Sequence, residues 1–192
     1  RIGVAIAVER YMYLSYAALR NRSLWNEVAP LLSQGNFRQA VQVTSKSNAA
    51  IGQILSYGLA RIQSARRRDD IEKAMEESLM DIVPRLEKRT HYLATFANLA
   101  TLLGLLGTVI GLINAFAAVS TVNPAEKANL LSASISVAMN CTAFGLLTAV
   151  PLLFIHAWLQ SRTTALIDSL EMASVKFLNS ITERRPDAPA AA

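Results

Sequence analysis

Two long uncharged stretches dominate the pattern of hydrophobic and polar positions along this chain. Residues 90–125 and 128–161 contain no Asp, Glu, Lys or Arg, which gives uncharged windows of 36 and 34 residues. A helix of about 20 apolar residues crosses the hydrocarbon core of a bilayer. The pattern therefore predicts an all-α integral membrane protein with spans at residues 90–119 and 128–161. We expect a short hairpin at residues 120–127 between them, where Asn123 and Pro124 form a breaker pair.

The first ten residues form a shorter apolar run. Residues 2–8 are uncharged and end at Glu9 and Arg10, which makes the run too short to cross a bilayer. We interpret residues 1–10 as the end of a further transmembrane helix. A signal peptide is the alternative, but no small-residue cleavage site follows, and the next tyrosines are typical of a membrane interface.

Residues 11–89 predict a helical region outside the membrane. Asn36, after Gly35, precedes a short amphipathic helix, and a second helix with one buried face is expected at residues 49–62. A third helix is expected to begin at Asp69. Its acidic residues lie near its start and its basic residues near its end, which complements the helix dipole. We expect this helix to continue without a break into the first span.

The residues after the second span predict a second helical extension. Residues 162–185 carry apolar positions at near-helical spacing, and residues 186–192 look like a disordered tail. Long transmembrane helices that extend into a helical bundle are therefore the expected architecture.

The charges set the orientation of this architecture. The chain has 19 Lys and Arg residues and 14 Asp and Glu residues. Fourteen of the basic residues precede the first span, and four follow the second. Cytoplasmic flanks collect such residues, so the bulk outside the membrane is predicted to be cytoplasmic. The basic excess indicates topology and not nucleic-acid binding. The sequence does not support a soluble enzyme, because it contains no metal-ligand spacing, no phosphate-binding loop and no activated nucleophile. No cofactor or metal is expected.

Small residues form a stripe on each predicted span. Such stripes let helix backbones approach closely, and Gly107 with Gly111 adds a GxxxG pair. Helix packing alone explains most of the pattern, but Thr108 and Thr142 could also line a polar path, or each hydroxyl could bond the carbonyl one turn back. The stripes comprise Ala97, Thr101, Gly104, Thr108, Gly111 and Ala115 on the first span, and Ala138, Thr142, Gly145 and Ala149 on the second.

A proton path through the bilayer generally needs a titratable group within the membrane. His156 is the usual candidate in the second window, but it follows Pro151 toward the cytoplasmic end and is better interpreted as an interfacial residue. The chain alone is thus a poor proton carrier. If it forms a proton path, a partner must supply the carboxylate.

Four segments, in order, resemble the MotA/TolQ/ExbB proton-channel family. Residues 104–111 read GLLGTVIG and resemble the family's GLLGTVxG signature, and residues 142–151 read TAFGLLTAVP and resemble its TAxGLxxAxP stretch. Residues 9–14 resemble the ERxxxL that ends its first helix, and residues 31–36 with Ala40 resemble its cytoplasmic segment.

The resemblance implies a motor in the bacterial inner membrane. Three-span subunits of this family form a ring, understood as a pentamer, around single-span partners resembling ExbD, TolR or MotB. A membrane aspartate of the partner carries the proton, and threonines matching Thr108 and Thr142 face its path. The small-residue stripes, with Gly107 and Pro151, would serve helix packing and the pore wall.

Two departures leave the downstream system open. Val137 stands where ExbB and TolQ carry a glutamate, and Thr101 stands where a proline commonly precedes the signature. Nutrient import, envelope maintenance and gliding motility are all compatible. A membrane scaffold that recruits cytoplasmic partners is the alternative class, whereas a solute transporter finds few polar groups in the spans with which to bind a solute.

Overall fold

The computed structural model describes residues 2–62 and 68–182, and these residues are helical apart from short turns, with no strand among them. The all-α prediction is confirmed for this part of the chain. The predicted tail at residues 186–192 and the last residues of the preceding extension lie outside the described residues. The six helices are α1 Ile2–Gln34, α2 Phe37–Lys46, α3 Ala50–Arg61, α4 Arg68–Glu87, α5 Thr90–Val119 and α6 Pro124–Thr182.

The turn between α1 and α2 follows from two residues. Gly35 has a φ of 77°, a left-handed conformation that glycine adopts without a Cβ clash. Asn36 is the N-cap of α2, and its side-chain oxygen accepts a hydrogen bond of 3.3 Å from the Gln39 backbone N–H. Capping of this kind satisfies one of the donors that a helix start leaves free.

The expected uninterrupted helix from Asp69 into the first span is not observed. Helix α4 ends at Glu87 and α5 begins at Thr90, because Arg89 adopts a left-handed conformation with a φ of 67°. Few non-glycine residues adopt positive φ, so no residue type at this position signals the break. Pro84, in contrast, lies within α4 without ending it.

The turn before α6 is shorter than the predicted hairpin. Helix α6 begins at Pro124, which leaves residues 120–123 as the connection. Proline is favoured in the first helical turn, where its missing N–H would lack a helical partner in any case. Glu126 in the same turn complements the positive end of the helix dipole.

The chain divides into two compact units. The span unit comprises residues 2–9 and 89–159, and the bundle unit comprises residues 10–62, 68–88 and 160–182 of the described chain. Helices α1 and α6 contribute residues to both units.

The bundle unit has an apolar core of its own. Phe177 from α6 is completely buried, and a methyl group added to Gly58 of α3 would lie 2.8 Å from both its ring and the Met75 sulfur. Glycine at position 58 thus lets α3 approach these side chains closely. The other large side chains that are almost fully buried in this unit are Val28, Leu32, Ile54, Leu55, Leu86 and Leu170.

Within the span unit, α5 and α6 approach through small residues. A methyl group added to Gly145 of α6 would lie 2.7 Å from the Ala100 carbonyl oxygen and 3.0 Å from the Gly104 Cα. The two backbones are therefore in direct contact at this point, as is typical of membrane helices that pack through glycine.

Large apolar side chains are exposed on α5 and on the part of α6 that belongs to the span unit. Residues such as Leu103, Ile113, Phe144, Leu147 and Phe154 are well exposed. Two segments of the described chain, Arg68–Val119 with its turn at residues 88–89 and Pro124–Thr182, are long and apolar enough to cross a membrane. An apolar surface of this extent needs lipid or other protein to cover it.

Replacing Phe177 with alanine is expected to destabilise the bundle unit by about 3–5 kcal/mol, because it removes a buried ring and leaves a cavity. Hydrogen exchange of α3 and α4 amides in detergent measures this loss. Val175→Ala is the matched control, since Val175 lies on the same helix and is 50% exposed. The control is expected to change stability by less than about 0.5 kcal/mol. Equal exchange in both variants would contradict the core assignment.

Leucine in place of Gly145 is expected to separate α5 from α6, because the new side chain meets backbone atoms that cannot rotate away. We expect a loss of about 1–3 kcal/mol or more, measured by thermal unfolding of the detergent-solubilised protein. Ala143→Leu introduces the same side chain at an exposed position two residues earlier and should be tolerated. A Gly145→Leu protein as stable as this control would refute the close contact.

Candidate functional site

Two threonine side chains meet in the span unit. The Thr108 hydroxyl of α5 lies 3.4 Å from the Thr142 hydroxyl of α6, and both residues are half-buried. The structure thus brings together the two residues to which the family resemblance assigns an ion-path role. We call Thr108 and Thr142 the hydroxyl pair.

Each hydroxyl of the pair also donates to a backbone carbonyl of α5. Thr108 Oγ1 donates to the Leu105 carbonyl at 2.6 Å, and Thr142 Oγ1 donates to the Gly104 carbonyl at 3.1 Å. Thr108 therefore bonds within its own helix, whereas Thr142 bonds across to its neighbour. Since a hydroxyl has one proton and two lone pairs, the pair presents mainly acceptors to any group that approaches it.

Gly104 makes this arrangement possible. A methyl group added to Gly104 would lie 3.1 Å from the Cys141 carbonyl oxygen and 3.2 Å from the Thr142 Cα. A threonine side chain is short, so its hydroxyl reaches a neighbouring helix only where the two backbones nearly touch. The glycine therefore positions the hydroxyl of Thr142 on the carbonyl of α5.

Gly107 and the second glycine of the first stripe, Gly111, also face α6. A methyl group on Gly107 would lie 2.7 Å from Cys141 Cβ, and one on Gly111 would lie 2.6 Å from Ala138 Cβ. Ala138 is buried, as are three further stripe alanines, Ala97, Ala115 and Ala149. The stripe glycines, with Ala138, therefore lie at the contact between helices of one chain, and their place on a pore wall stays a prediction.

Two predicted site residues are not part of this contact. Thr101 is exposed, and its hydroxyl donates to the Ala97 carbonyl one turn back at 3.2 Å. Pro151 lies within α6 and is also exposed. Neither residue is brought to the hydroxyl pair.

The residues flanking the spans make structural contacts. Glu9 of α1 forms a salt bridge of 3.5 Å with Arg89 in the span unit, and both side chains are about half exposed. In the bundle unit, the Arg10 guanidinium donates to the Leu86 carbonyl near the end of α4 and lies 4.8 Å from the Tyr13 ring centre. These contacts give Glu9 and Arg10 a structural role in their respective units.

Sequence reasoning named a carbonyl one turn back as one alternative, and Thr108 bonds such a carbonyl at Leu105. It missed the Gly104 carbonyl as the acceptor of Thr142 and the contact of Cys141 with Gly107. A backbone carbonyl is present at every position, so no residue type signals which one receives a hydroxyl. The spacing of Gly104 and Thr108 was the only indication in the sequence that a hydroxyl bonds a carbonyl in this region.

Comparison with known proteins identifies relatives along most of the chain. The MotA/TolQ/ExbB proton channel family matches residues 46–172. The chain is 33% identical over 138 residues to the biopolymer transport protein exbB1 of Vibrio cholerae, which covers 62% of this chain and 58% of that protein. It is also 33% identical over 94 residues to the Tol-Pal system protein TolQ of Haemophilus influenzae, covering 49% of this chain and 41% of TolQ.

A third relative covers more of the chain. A protein of Methanothermobacter thermautotrophicus described as a biopolymer transport protein ExbB homologue is 26% identical over 172 residues, which is 88% of this chain and 60% of that protein. The chain thus spans 41–60% of the length of these three relatives. The family match covers well over half of the 192 residues, and it includes both threonines of the hydroxyl pair. The chain belongs to the MotA/TolQ/ExbB proton channel family of membrane proteins.

Proposed function

We propose that this chain is the ring-forming subunit of a motor in the bacterial inner membrane that is driven by the proton-motive force. In this proposal the ring is a pentamer and surrounds a single-span partner resembling ExbD, TolR or MotB. Proton flow between ring and partner drives mechanical work in the envelope or in motility. The bundle unit lies in the cytoplasm.

The hydroxyl pair is the observation that carries this proposal. Thr108 and Thr142 lie 3.4 Å apart on helices whose uncharged windows hold no carboxylate or ammonium group. A neutral pair of hydroxyls can accept a hydrogen bond from a protonated group but cannot itself carry charge across the bilayer. This supports a division of labour in which a partner's aspartate takes up and releases the proton.

The exposed apolar surface of the span unit supports assembly into a ring. Leu103 and Leu147 are both exposed by more than half, although the contact between α5 and α6 is closely packed. Some of this surface would face lipid, and the rest would contact neighbouring copies and the partner helix. Membrane helices associate through such packing contacts.

Removing either hydroxyl of the pair is expected to abolish proton-driven work while the complex still assembles. Thr108→Val and Thr142→Val keep the shape of the side chain and remove the acceptor. We expect proton flux to fall by about tenfold or more, since a hydrogen bond to a charged or protonated group is worth about 1.5–3 kcal/mol. Proteoliposomes containing the chain and its co-expressed partner measure this flux.

Thr148→Val is the matched control for these variants. Thr148 lies on α6, is exposed, and donates its hydroxyl to the Phe144 carbonyl at 2.9 Å. Its loss should leave flux unchanged, and Thr142→Ser should restore part of it. Normal flux in Thr108→Val and Thr142→Val would contradict the ion-path role of the hydroxyl pair, whereas no flux above background with the unchanged chain would favour a non-conducting scaffold.

The native mass of the detergent-solubilised complex tests the assembly. We expect a pentamer of the chain that retains single-span partner chains when it is co-expressed with its genomic neighbours. An aspartate in the partner's membrane helix would identify the proton carrier. A monomer or dimer without such a partner would refute the motor proposal.

A further inference from the structure

A cavity of about 210 Å³ lies in the bundle unit between α1, the start of α3 and the end of α4. It is smaller than the pockets of about 300–1,000 Å³ that hold drug-sized ligands. Its size therefore suits a small polar group or one end of a larger molecule.

The cavity carries positive charge without a compensating carboxylate. Arg20 of α1 and Arg85 of α4 both line it, and none of its lining residues is acidic. Neither arginine forms a salt bridge with a described residue. The Arg20 guanidinium instead lies 5.4 Å from the centre of the Tyr16 ring, which also lines the cavity. Two unneutralised guanidinium groups on one cavity favour an anion with several oxygens.

The start of α3 adds to this positive potential. Ala49 is the N-cap of this 12-residue helix, provides no side-chain cap, and lines the cavity with Ala50. The first turn of α3 contains no acidic residue. Backbone N–H groups at a helix N-terminus carry partial positive charge and bind anions.

Asn21 supplies an independent sign that a ligand binds in this cavity. Its side chain lines the cavity, is only 4% exposed, and accepts a hydrogen bond of 3.2 Å from the Ile51 backbone N–H through Oδ1. Its Nδ2 donates to no atom of the described residues. Buried donors without an acceptor are rare because leaving them unpaired is unfavourable. An oxygen of a bound anion would satisfy this donor.

The position of the cavity along the chain indicates one source of such an anion. Arg85 is four residues before Arg89, the last charged residue before the first uncharged window. Tyrosine is enriched at the level of lipid headgroups, and basic pockets at the cytoplasmic side of membrane proteins bind anionic headgroups. Tyr13 and Tyr16 both line the cavity.

We propose that this cavity binds a phosphate group, held by Arg20, Arg85 and the Nδ2 donor of Asn21. The phosphate belongs either to the headgroup of an anionic phospholipid or to a small soluble phosphate compound. Binding is independent of the hydroxyl pair and of proton flux.

Thermal unfolding of the full chain in nanodiscs tests the proposal in two arms. One arm compares phosphatidylcholine nanodiscs with and without phosphatidylglycerol. The other adds inorganic phosphate to phosphatidylcholine nanodiscs, against chloride at equal ionic strength. A ligand that binds the folded state raises the unfolding midpoint, and its concentration dependence gives an apparent affinity.

The arginine variants connect the response to the cavity. We expect Arg20→Gln with Arg85→Gln to weaken the apparent affinity by about tenfold or more, since each arginine contributes charge-assisted hydrogen bonds. Arg85→Gln alone, at an exposed position, tests the same point if the double variant fails to fold. Arg22→Gln is the matched control, because Arg22 is an exposed arginine of α1 that does not line the cavity.

Each outcome decides the proposal. An arginine-dependent response to phosphatidylglycerol alone supports a lipid headgroup, and one to inorganic phosphate alone supports a soluble compound. No response in either arm would overturn the proposal. A response that the Arg85→Gln variant and the Arg22→Gln control retain equally would overturn it as well.

Discussion

The direct contact between the backbones of α5 and α6 is the constraint on which the rest of the span unit depends. It requires glycine at positions 104 and 145, where even a methyl group would approach the opposite backbone to within about 3 Å. In a bilayer the hydrophobic effect does not hold two apolar helices together, so close packing and hydrogen bonds must do so. The same contact brings the short hydroxyl of Thr142 onto the Gly104 carbonyl at 3.1 Å. Packing and polar geometry are therefore parts of one arrangement.

Much of the helical architecture follows from the sequence because its signals are local. The uncharged windows predict the two long apolar helices, and Asn36 and Gly35 mark the start of α2. The break between α4 and α5 could not be predicted in the same way. Arginine rarely adopts the left-handed conformation seen at Arg89, and its residue type carries no sign that it will. Pro84 would have been the conventional place for an interruption, yet α4 continues through it.

The candidate site is predictable only in part for a related reason. Periodicity places Thr108 and Thr142 on the small-residue faces of their helices, and the structure brings their hydroxyls to 3.4 Å. Periodicity does not distinguish a hydroxyl that bonds its own helix from one that bonds a neighbour. The structure contains one of each, with Thr108 on Leu105 and Thr142 on Gly104. That difference depends on the distance between the backbones of α5 and α6. The periodicity of either helix alone does not determine this distance.

When both protons are donated to carbonyls, the oxygens of Thr108 and Thr142, 3.4 Å apart, offer only lone pairs to a further group. Lone pairs accept a hydrogen bond from a neutral carboxylic acid and offer none to its conjugate base. A preference of about 1.4 kcal/mol for the neutral acid raises the pKa of that acid by about one unit. In this arrangement the pair therefore favours the neutral form of a carboxylic acid placed beside it over the charged form. The two hydroxyls can thus distinguish a protonated acid from its conjugate base while remaining neutral themselves.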